Sequence, residues 1–167
     1  MDFDKLNRMF WKIIDDGDQI RLEKQKSINF DNAFVENNIP YGELGECNFY
    51  DLYFPQHYTR SPLPIIINIP GGGYTIGKKE NNKLQSEFYA SLGYCVITMN
   101  YRRVNEAKFP APVYDLFSLF NHLEKKLDRK KYDFNNIFIL GDSAGAHIGS
   151  LGCCILNNPK MQEEYGV

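Results

Sequence analysis

Residues 136–147 read Asn-Ile-Phe-Ile-Leu-Gly-Asp-Ser-Ala-Gly-Ala-His, and this stretch predicts a strand, a sharp turn and a helix. Its first part is a short apolar run of β-branched and aromatic residues, which is typical of a buried strand. The turn fits the pattern G-x-S-x-G, with Ser143 as the serine. Small neighbours let two backbones approach closely, so we expect the Ser143 hydroxyl to stand above the sheet edge. The helix that begins there favours negative charge developing beside it.

A second strand runs into three glycines further upstream. Residues 65–74 read Ile-Ile-Ile-Asn-Ile-Pro-Gly-Gly-Gly-Tyr. Glycine amides are not shielded by side chains, so we predict that Gly72 and Gly73 form an oxyanion hole. The third donor would be the amide of Ala144, which follows the serine. A plain flexible loop is the alternative interpretation. A phosphate-binding loop is disfavoured because the spacing fits neither G-x-x-x-x-G-K-[ST] nor G-x-G-x-x-G.

Four motifs together resemble the α/β-hydrolase esterases of the hormone-sensitive-lipase-like and acetyl/feruloyl-esterase groups. They follow the family's order at about its spacing, and they are Gly71–Tyr74, Asn100–Arg102, Phe109–Asp115 and Gly141–His147. The resemblance covers residues 45–157. It implies an α/β-hydrolase fold, with a mostly parallel sheet and helices on both faces. It also implies a carboxylic ester hydrolase for short acyl esters, acetylated sugars among them. Pro70 departs from the family's usual histidine, although its fixed φ can brace the loop differently.

The remaining pattern predicts one incomplete domain over residues 1–167. Residues 3–16 have apolar side chains at helical spacing, which predicts an amphipathic helix ending near Gly17, with loop over 18–44. In the esterases that it resembles, such a segment often belongs to a cap, so residues 1–44 form either a cap or an outer helix. Residues 45–167 would form the sheet core. We predict a half-exposed edge strand at 47–54, buried strands at 65–69, 94–99 and 137–140, and helices at 80–92, 112–127 and 144–156.

The sequence offers no evident base for Ser143. In this fold the order along the chain is serine, acid, histidine, and the only histidine after Ser143 is His147. His147 lies one helical turn after the serine, and a structural role is favoured for it. His122 falls on a predicted helix and His57 in a predicted loop, so neither is expected to act as the base. Asp115 resembles an aspartate that is usually structural in the family.

We therefore expect the triad acid and histidine to lie outside this sequence. The chain would resemble the first half to two thirds of such an esterase, with the C-terminal strands missing, and would be inactive by itself. The strand at 137–140 would then be an exposed edge, open to self-association or to a complementing chain. Two alternatives remain, a non-catalytic binding or structural protein that keeps the fold and one half of a two-chain esterase.

Composition argues against several classes of partner and is compatible with the small-molecule ester that the resemblance implies. The net charge is −2 and no basic patch exists, which argues against nucleic acid and anionic membrane surfaces. No run reaches the roughly 20 apolar residues of a membrane span, and the acidic N-terminus is unlike a secretory signal. Metal-ligand spacing is also lacking, so we expect no metal or cofactor. We expect the four cysteines to be reduced residues that pack in the protein, and they are Cys47, Cys95, Cys153 and Cys154. Reduced thiols are typical of the cytoplasm, which is therefore the expected location.

Overall fold

The computed structural model describes residues 2–28, 30–57 and 61–167. These ranges contain five strands and five α-helices, which alternate only from β3 to α4. The strands are β1 (Ala33–Pro40), β2 (Phe49–Pro55), β3 (Leu63–Ile69), β4 (Cys95–Met99) and β5 (Tyr132–Gly141). The helices are α1 (Phe3–Gln25), α2 (Lys83–Ser91), α3 (Ala111–Lys126), α4 (Ala144–Leu156) and α5 (Pro159–Tyr165), with 3-10 turns at Gly45–Asn48 and Lys79–Asn82.

The strands form one sheet in the order β1-β2-β4-β3-β5. The pairs β4–β3 and β3–β5 are parallel, whereas β1–β2 and β2–β4 are antiparallel. The sheet is therefore mixed, and the expectation of a mostly parallel sheet holds for its β4-β3-β5 part. Within the described residues β5 is an edge strand, as expected. Ile137 and Phe138 are 40% and 51% exposed, so the prediction of a buried strand at 137–140 was wrong, because the edge leaves part of the strand uncovered.

Alternate residues of β3 and β4 pack against helices on opposite faces of the sheet. Ile65, Ile67 and Ile69 belong to a cluster with side chains of α3 and α4. Ile66 and Val96 instead contact Ala90 of α2. Side chains of a strand alternate between faces, so a run of apolar residues can fill both layers. Each fully buried aliphatic side chain contributes about 1.5–3 kcal/mol, and helices on both faces are confirmed.

The N-terminal region differs from its prediction. Helix α1 begins after Asp2, whose carboxylate accepts the Lys5 amide at 3.1 Å, and it continues through Gly17 to Gln25. A glycine inside a helix costs only about 1 kcal/mol relative to alanine, so Gly17 does not end it. Strand β1 lies where a loop was predicted. Because β1 pairs with β2, the predicted half-exposed edge strand at 47–54 is instead buried inside the sheet.

Helix α1 turns its predicted apolar face away from the body of the protein, whereas Trp11 contacts the body. Phe3 is 78% exposed, and Leu6, Phe10, Ile13 and Ile14 are exposed as well. The opposite side of the helix contacts the body, partly through a bond from the Asn81 amide to the Asp18 carboxylate at 3.0 Å. The apolar spacing thus predicted the helix correctly but not which side of it packs.

Helix α2 also packs with an unexpected face. Ser86 and Ala90 face the sheet, and the Ser86 hydroxyl bonds Thr98 Oγ1 at 2.7 Å and Asn68 Nδ2 at 3.0 Å. Buried polar groups need hydrogen-bond partners, so Asn68 and Thr98 of the sheet are satisfied by a hydroxyl of the helix and not by an apolar side chain. The apolar face predicted for this helix is partly or largely exposed, and it comprises Leu84, Phe88 and Leu92.

The cysteines are all free, as expected, but only some are packing residues. Cys95 is fully buried, whereas Cys153 and Cys154 are exposed on α4, so a packing role was wrong for these two.

In the part of the chain that the structure describes, none of the helices combines the length and hydropathy needed to span a membrane.

Candidate active site

Ser143 has a strained backbone at the junction of β5 and α4. Its φ is 47° and its ψ is −117°, and it precedes the first residue of α4. A non-glycine residue in such a region costs about 1–3 kcal/mol, so its surroundings must hold it there. Ser143 is exposed, and its hydroxyl makes no hydrogen bond within residues 2–28, 30–57 and 61–167. The site thus presents a free hydroxyl at the end of a parallel strand.

The two glycines around Ser143 are required by close backbone contacts. A Cβ on Gly141 would lie 2.7 Å from the carbonyl carbon of Gly145. A Cβ on Gly145 would collide with the carbonyl oxygen of Ile69, at the end of β3. Because both obstacles are backbone atoms, no rotamer change can relieve them. The turn is therefore tight, and α4 starts in direct contact with β3.

The glycine loop after β3 has three successive residues with positive φ. Gly72, Gly73 and Tyr74 have φ values of 118°, 57° and 61°. The amides of Thr75 and Ile76 close the turn by donating to the Gly72 carbonyl at 2.9 and 3.1 Å. These bonds and dihedrals fix the direction in which the loop amides point.

The residue before the glycines is braced through its carbonyl. The Tyr101 hydroxyl is buried and donates to the carbonyl oxygen of Pro70 at 2.8 Å. Burial raises the pKa of Tyr101 above its ordinary value, so the phenol keeps its proton at neutral pH. The loop is thus held from the β4 side at Pro70, the residue before the glycines.

Asp142 joins the glycine loop to the serine turn. Its Oδ1 accepts the Gly71 amide at 3.0 Å, and a Cβ on Gly71 would collide with the same carboxylate. The loop and the Ser143 turn are therefore adjacent. The sequence analysis gave Asp142 no role. An acidic residue next to the serine could have been recognised as a candidate acceptor for the free amides of a glycine loop.

Three amides at this junction remain free of protein acceptors. Within the described residues, the N–H groups of Gly72, Gly73 and Ala144 donate to no oxygen. Ala144 is buried in the first turn of α4, where helix amides have no intrahelical partner and carry partial positive charge. The three predicted donors are thus available to an acceptor from outside the chain.

No hydrogen bond joins any of the three histidines to the Ser143 hydroxyl within the described ranges. His147 Nδ1 is hydrogen-bonded to the Tyr74 hydroxyl. His122 Nε2 lies 3.4 Å from the Tyr50 hydroxyl, and burial lowers the pKa of His122 below its usual value. His57 is exposed after β2. In the described residues, therefore, no imidazole is hydrogen-bonded to the serine.

Asp115 has the structural role that was expected. It is buried on α3, and its Oδ2 accepts the Arg102 amide at 2.8 Å while its Oδ1 pairs with the Arg102 guanidinium at 2.7 Å. This pair holds the loop after β4 against α3. The hydrogen bonds that the Arg102 side chain donates to Asp115 raise the pKa of Arg102 further, so the guanidinium keeps its charge.

Helix α1 lies over the glycine loop. A Cβ on Gly73 would collide with the Trp11 ring, so the indole rests against the loop backbone. A cavity of about 620 Å³ opens between α1 and the loop, and its lining includes Asp18, Arg21, Gly72 and Asp142. No group of His, Cys, Asp and Glu side chains in the described ranges is arranged to hold a metal ion. The cavity is thus bordered by the loop and by charged side chains.

Comparisons with known proteins agree with this geometry. Residues 50–166 match the family model BD-FAE. Two Mycobacterium tuberculosis proteins are similar, "Probable carboxylic ester hydrolase LipM" at 30% identity over 133 residues and "Esterase LipQ" at 29% over 135. These matches cover 78% and 80% of this chain but 31% and 32% of the relatives, so the chain spans about a third of their length.

A solved structure is similar over nearly the whole chain. Esterase B from Lactobacillus rhamnosis, with a C4-C4 tributyrin phosphonate, has a TM-score of 0.87 and 26% identity. The match covers 96% of this chain and 52% of that chain. Because the family model matches more than half of the residues, the predicted family is confirmed. The chain belongs to the BD-FAE family and has the fold of the α/β-hydrolase esterases.

Proposed function

We propose that this chain is the nucleophile-bearing part of a carboxylic ester hydrolase, with Ser143 as nucleophile. The observation that carries the proposal is the Ser143 backbone at φ 47°, together with a hydroxyl free of partners in the described residues. Strained backbone of this kind clusters at active sites. The names of the matched relatives, a carboxylic ester hydrolase and two esterases, support the same class of reaction.

In the proposed reaction, Ser143 Oγ attacks the carbonyl carbon of the ester while a base takes the hydroxyl proton. The carbonyl oxygen becomes an oxyanion, which accepts hydrogen bonds from the amides of Gly72, Gly73 and Ala144. Each donor of this kind is worth about 2.7–4 kcal/mol of transition-state stabilisation. The alcohol then leaves with the proton from the base, and water hydrolyses the acyl-serine.

We propose that the base and its orienting acid come from outside these 167 residues. The arrangement of the three histidines supports this, since each has another partner or lies in an exposed loop. The edge of β5, with exposed Ile137 and Phe138, is a suitable place for a complementing polypeptide segment or a second copy. Unpaired strand edges and exposed apolar side chains favour such pairing.

We propose short acyl esters as substrates and α1 as a cap over the site. The C4 phosphonate bound by esterase B supports a short acyl group. The cavity of about 620 Å³ beneath α1 falls in the range of small-molecule sites. We expect the protein to act in the cytoplasm, because its four cysteines are free.

Phosphonate labelling tests the proposal without requiring turnover. The wild-type chain, Ser143→Ala and Ser150→Ala would be incubated with a short-chain 4-nitrophenyl alkylphosphonate in the presence of free imidazole, which supplies the base that we place outside these residues. The modified peptide would be identified by mass spectrometry. Ser150 is an exposed serine of α4 and serves as the matched control. We expect label on Ser143 in the wild type and in Ser150→Ala, and no label in Ser143→Ala. Label spread over surface serines, or none at all, would favour a non-catalytic protein.

A further inference from the structure

Tyr74 is a large aromatic residue in a conformation that normally favours glycine. Its φ is 61°, and it directly follows Gly73, with φ 57°. A bulky residue in the left-handed region is a conformational outlier, and it persists only where other contacts hold it. The contacts of Tyr74 therefore determine how firmly the end of the glycine loop is held.

Tyr74 is held mainly by His147 and by the segment after β4. The Tyr74 hydroxyl is hydrogen-bonded to His147 Nδ1, and its carbonyl oxygen accepts the Val104 amide at 2.8 Å. The His147 ring stacks on Phe109, with ring centroids 5.7 Å apart and an interplanar angle of 14°. Phe109 also packs edge-on against Tyr74, with centroids 6.0 Å apart. Tyr74, His147 and Phe109 thus form a compact group beside the loop.

His147 connects this group to the serine turn. It lies one helical turn after Ser143 on α4, and its amide donates to the Ser143 carbonyl at 3.1 Å. We propose that His147 and Tyr74 are positioning residues that hold the glycine loop at a fixed distance from Ser143. The catalytic consequence rests on the proposed function, because the loop would present the Gly72 and Gly73 amides to the oxyanion. Burial raises the pKa of the Tyr74 phenol, so it keeps its proton at neutral pH.

The lone tryptophan reports the position of the loop independently of any activity. The sequence contains one tryptophan, Trp11, and its ring rests against Gly73. If the loop moves away from α4, the contact between Gly73 and the indole must change. Acrylamide quenching of tryptophan fluorescence measures the accessibility of that ring.

The variants separate the hydrogen bond from the bulk of the side chains. Tyr74→Phe removes only the hydroxyl, and His147→Ala removes the acceptor and the stacked ring. His147→Asn restores an acceptor near the Nδ1 position and should return the quenching constant towards the wild-type value. His122→Ala removes a different tyrosine–histidine contact, with Tyr50, and is the matched control. Circular dichroism verifies that each variant is folded.

We expect Tyr74→Phe and His147→Ala to change the quenching constant of Trp11 by about twofold, while His122→Ala leaves it unchanged. Small displacements of catalytic groups have large kinetic effects, so phosphonate labelling of Ser143 should slow about tenfold in both loop variants. Wild-type quenching constants in folded Tyr74→Phe and His147→Ala would overturn the proposal. If the wild type shows no Ser143 labelling, the proposed function fails, and the quenching comparison still decides whether the loop is positioned in this way.

Discussion

Replacing Gly145 with alanine tests whether α4 starts in direct contact with the end of β3. A Cβ at this position would collide with the Ile69 carbonyl oxygen and lie 3.0 Å from the carbonyl carbon of Pro70. Helix propensity alone would favour alanine by about 1 kcal/mol, whereas overpacking of this kind costs about 1–3 kcal/mol. Because the obstacles are backbone, we take the upper end and expect a net loss of about 2 kcal/mol. For a chain of this size that lowers Tm by roughly 4–8 °C.

Gly17→Ala is the matched control for this experiment. Gly17 also lies in a helix, but no atom is within 4 Å of the Cβ that alanine would add. We expect this variant to be more stable by about 0.5–1 kcal/mol. Thermal unfolding followed by circular dichroism measures both variants beside the wild type. An unchanged or raised Tm in Gly145→Ala would refute the argument that close packing, rather than helix propensity, determines this glycine.

Two further substitutions test the contacts around the site. Asp115→Ala leaves Arg102 without its buried partner, and we expect urea unfolding to show a loss of about 3 kcal/mol. A loss no larger than that of an ordinary surface substitution would contradict the structural role. Asp142→Ala removes the acceptor of the Gly71 amide at an exposed position, so we expect stability to fall by only about 1 kcal/mol. Phosphonate labelling of Ser143 should nevertheless slow about tenfold, and equal rates would show that the loop does not need this bond.

The parts of the fold set by local sequence were predicted well. Gly141 at the Ser143 turn is required by a local contact with Gly145, and α4 spans Ala144–Leu156, the predicted range 144–156. The glycine loop likewise follows a buried strand, as its pattern indicated. These features depend on short-range sterics and on side-chain alternation, which a single sequence displays directly.

Features set by distant contacts were not predicted. Strand β1 has a register shift between Glu36 and Ile39, and its middle residues, 36–38, are all polar. The sequence of β1 therefore shows no clear alternation of apolar and polar residues. The packing of Ser86 on Thr98 depends on residues of another element. The bond between Tyr74 and His147 joins residues 73 positions apart, and sequence could suggest only that His147 is structural.

The most direct test of the account is a crystal structure of the chain after reaction with a short-chain phosphonate in the presence of free imidazole, which replaces the missing base. The adduct represents the tetrahedral intermediate of ester hydrolysis. We predict a covalent bond from phosphorus to Ser143 Oγ, with one phosphoryl oxygen about 2.7–3.1 Å from amides of Gly72, Gly73 and Ala144. An adduct on another residue, or a phosphoryl oxygen directed away from these amides, would contradict the central claim.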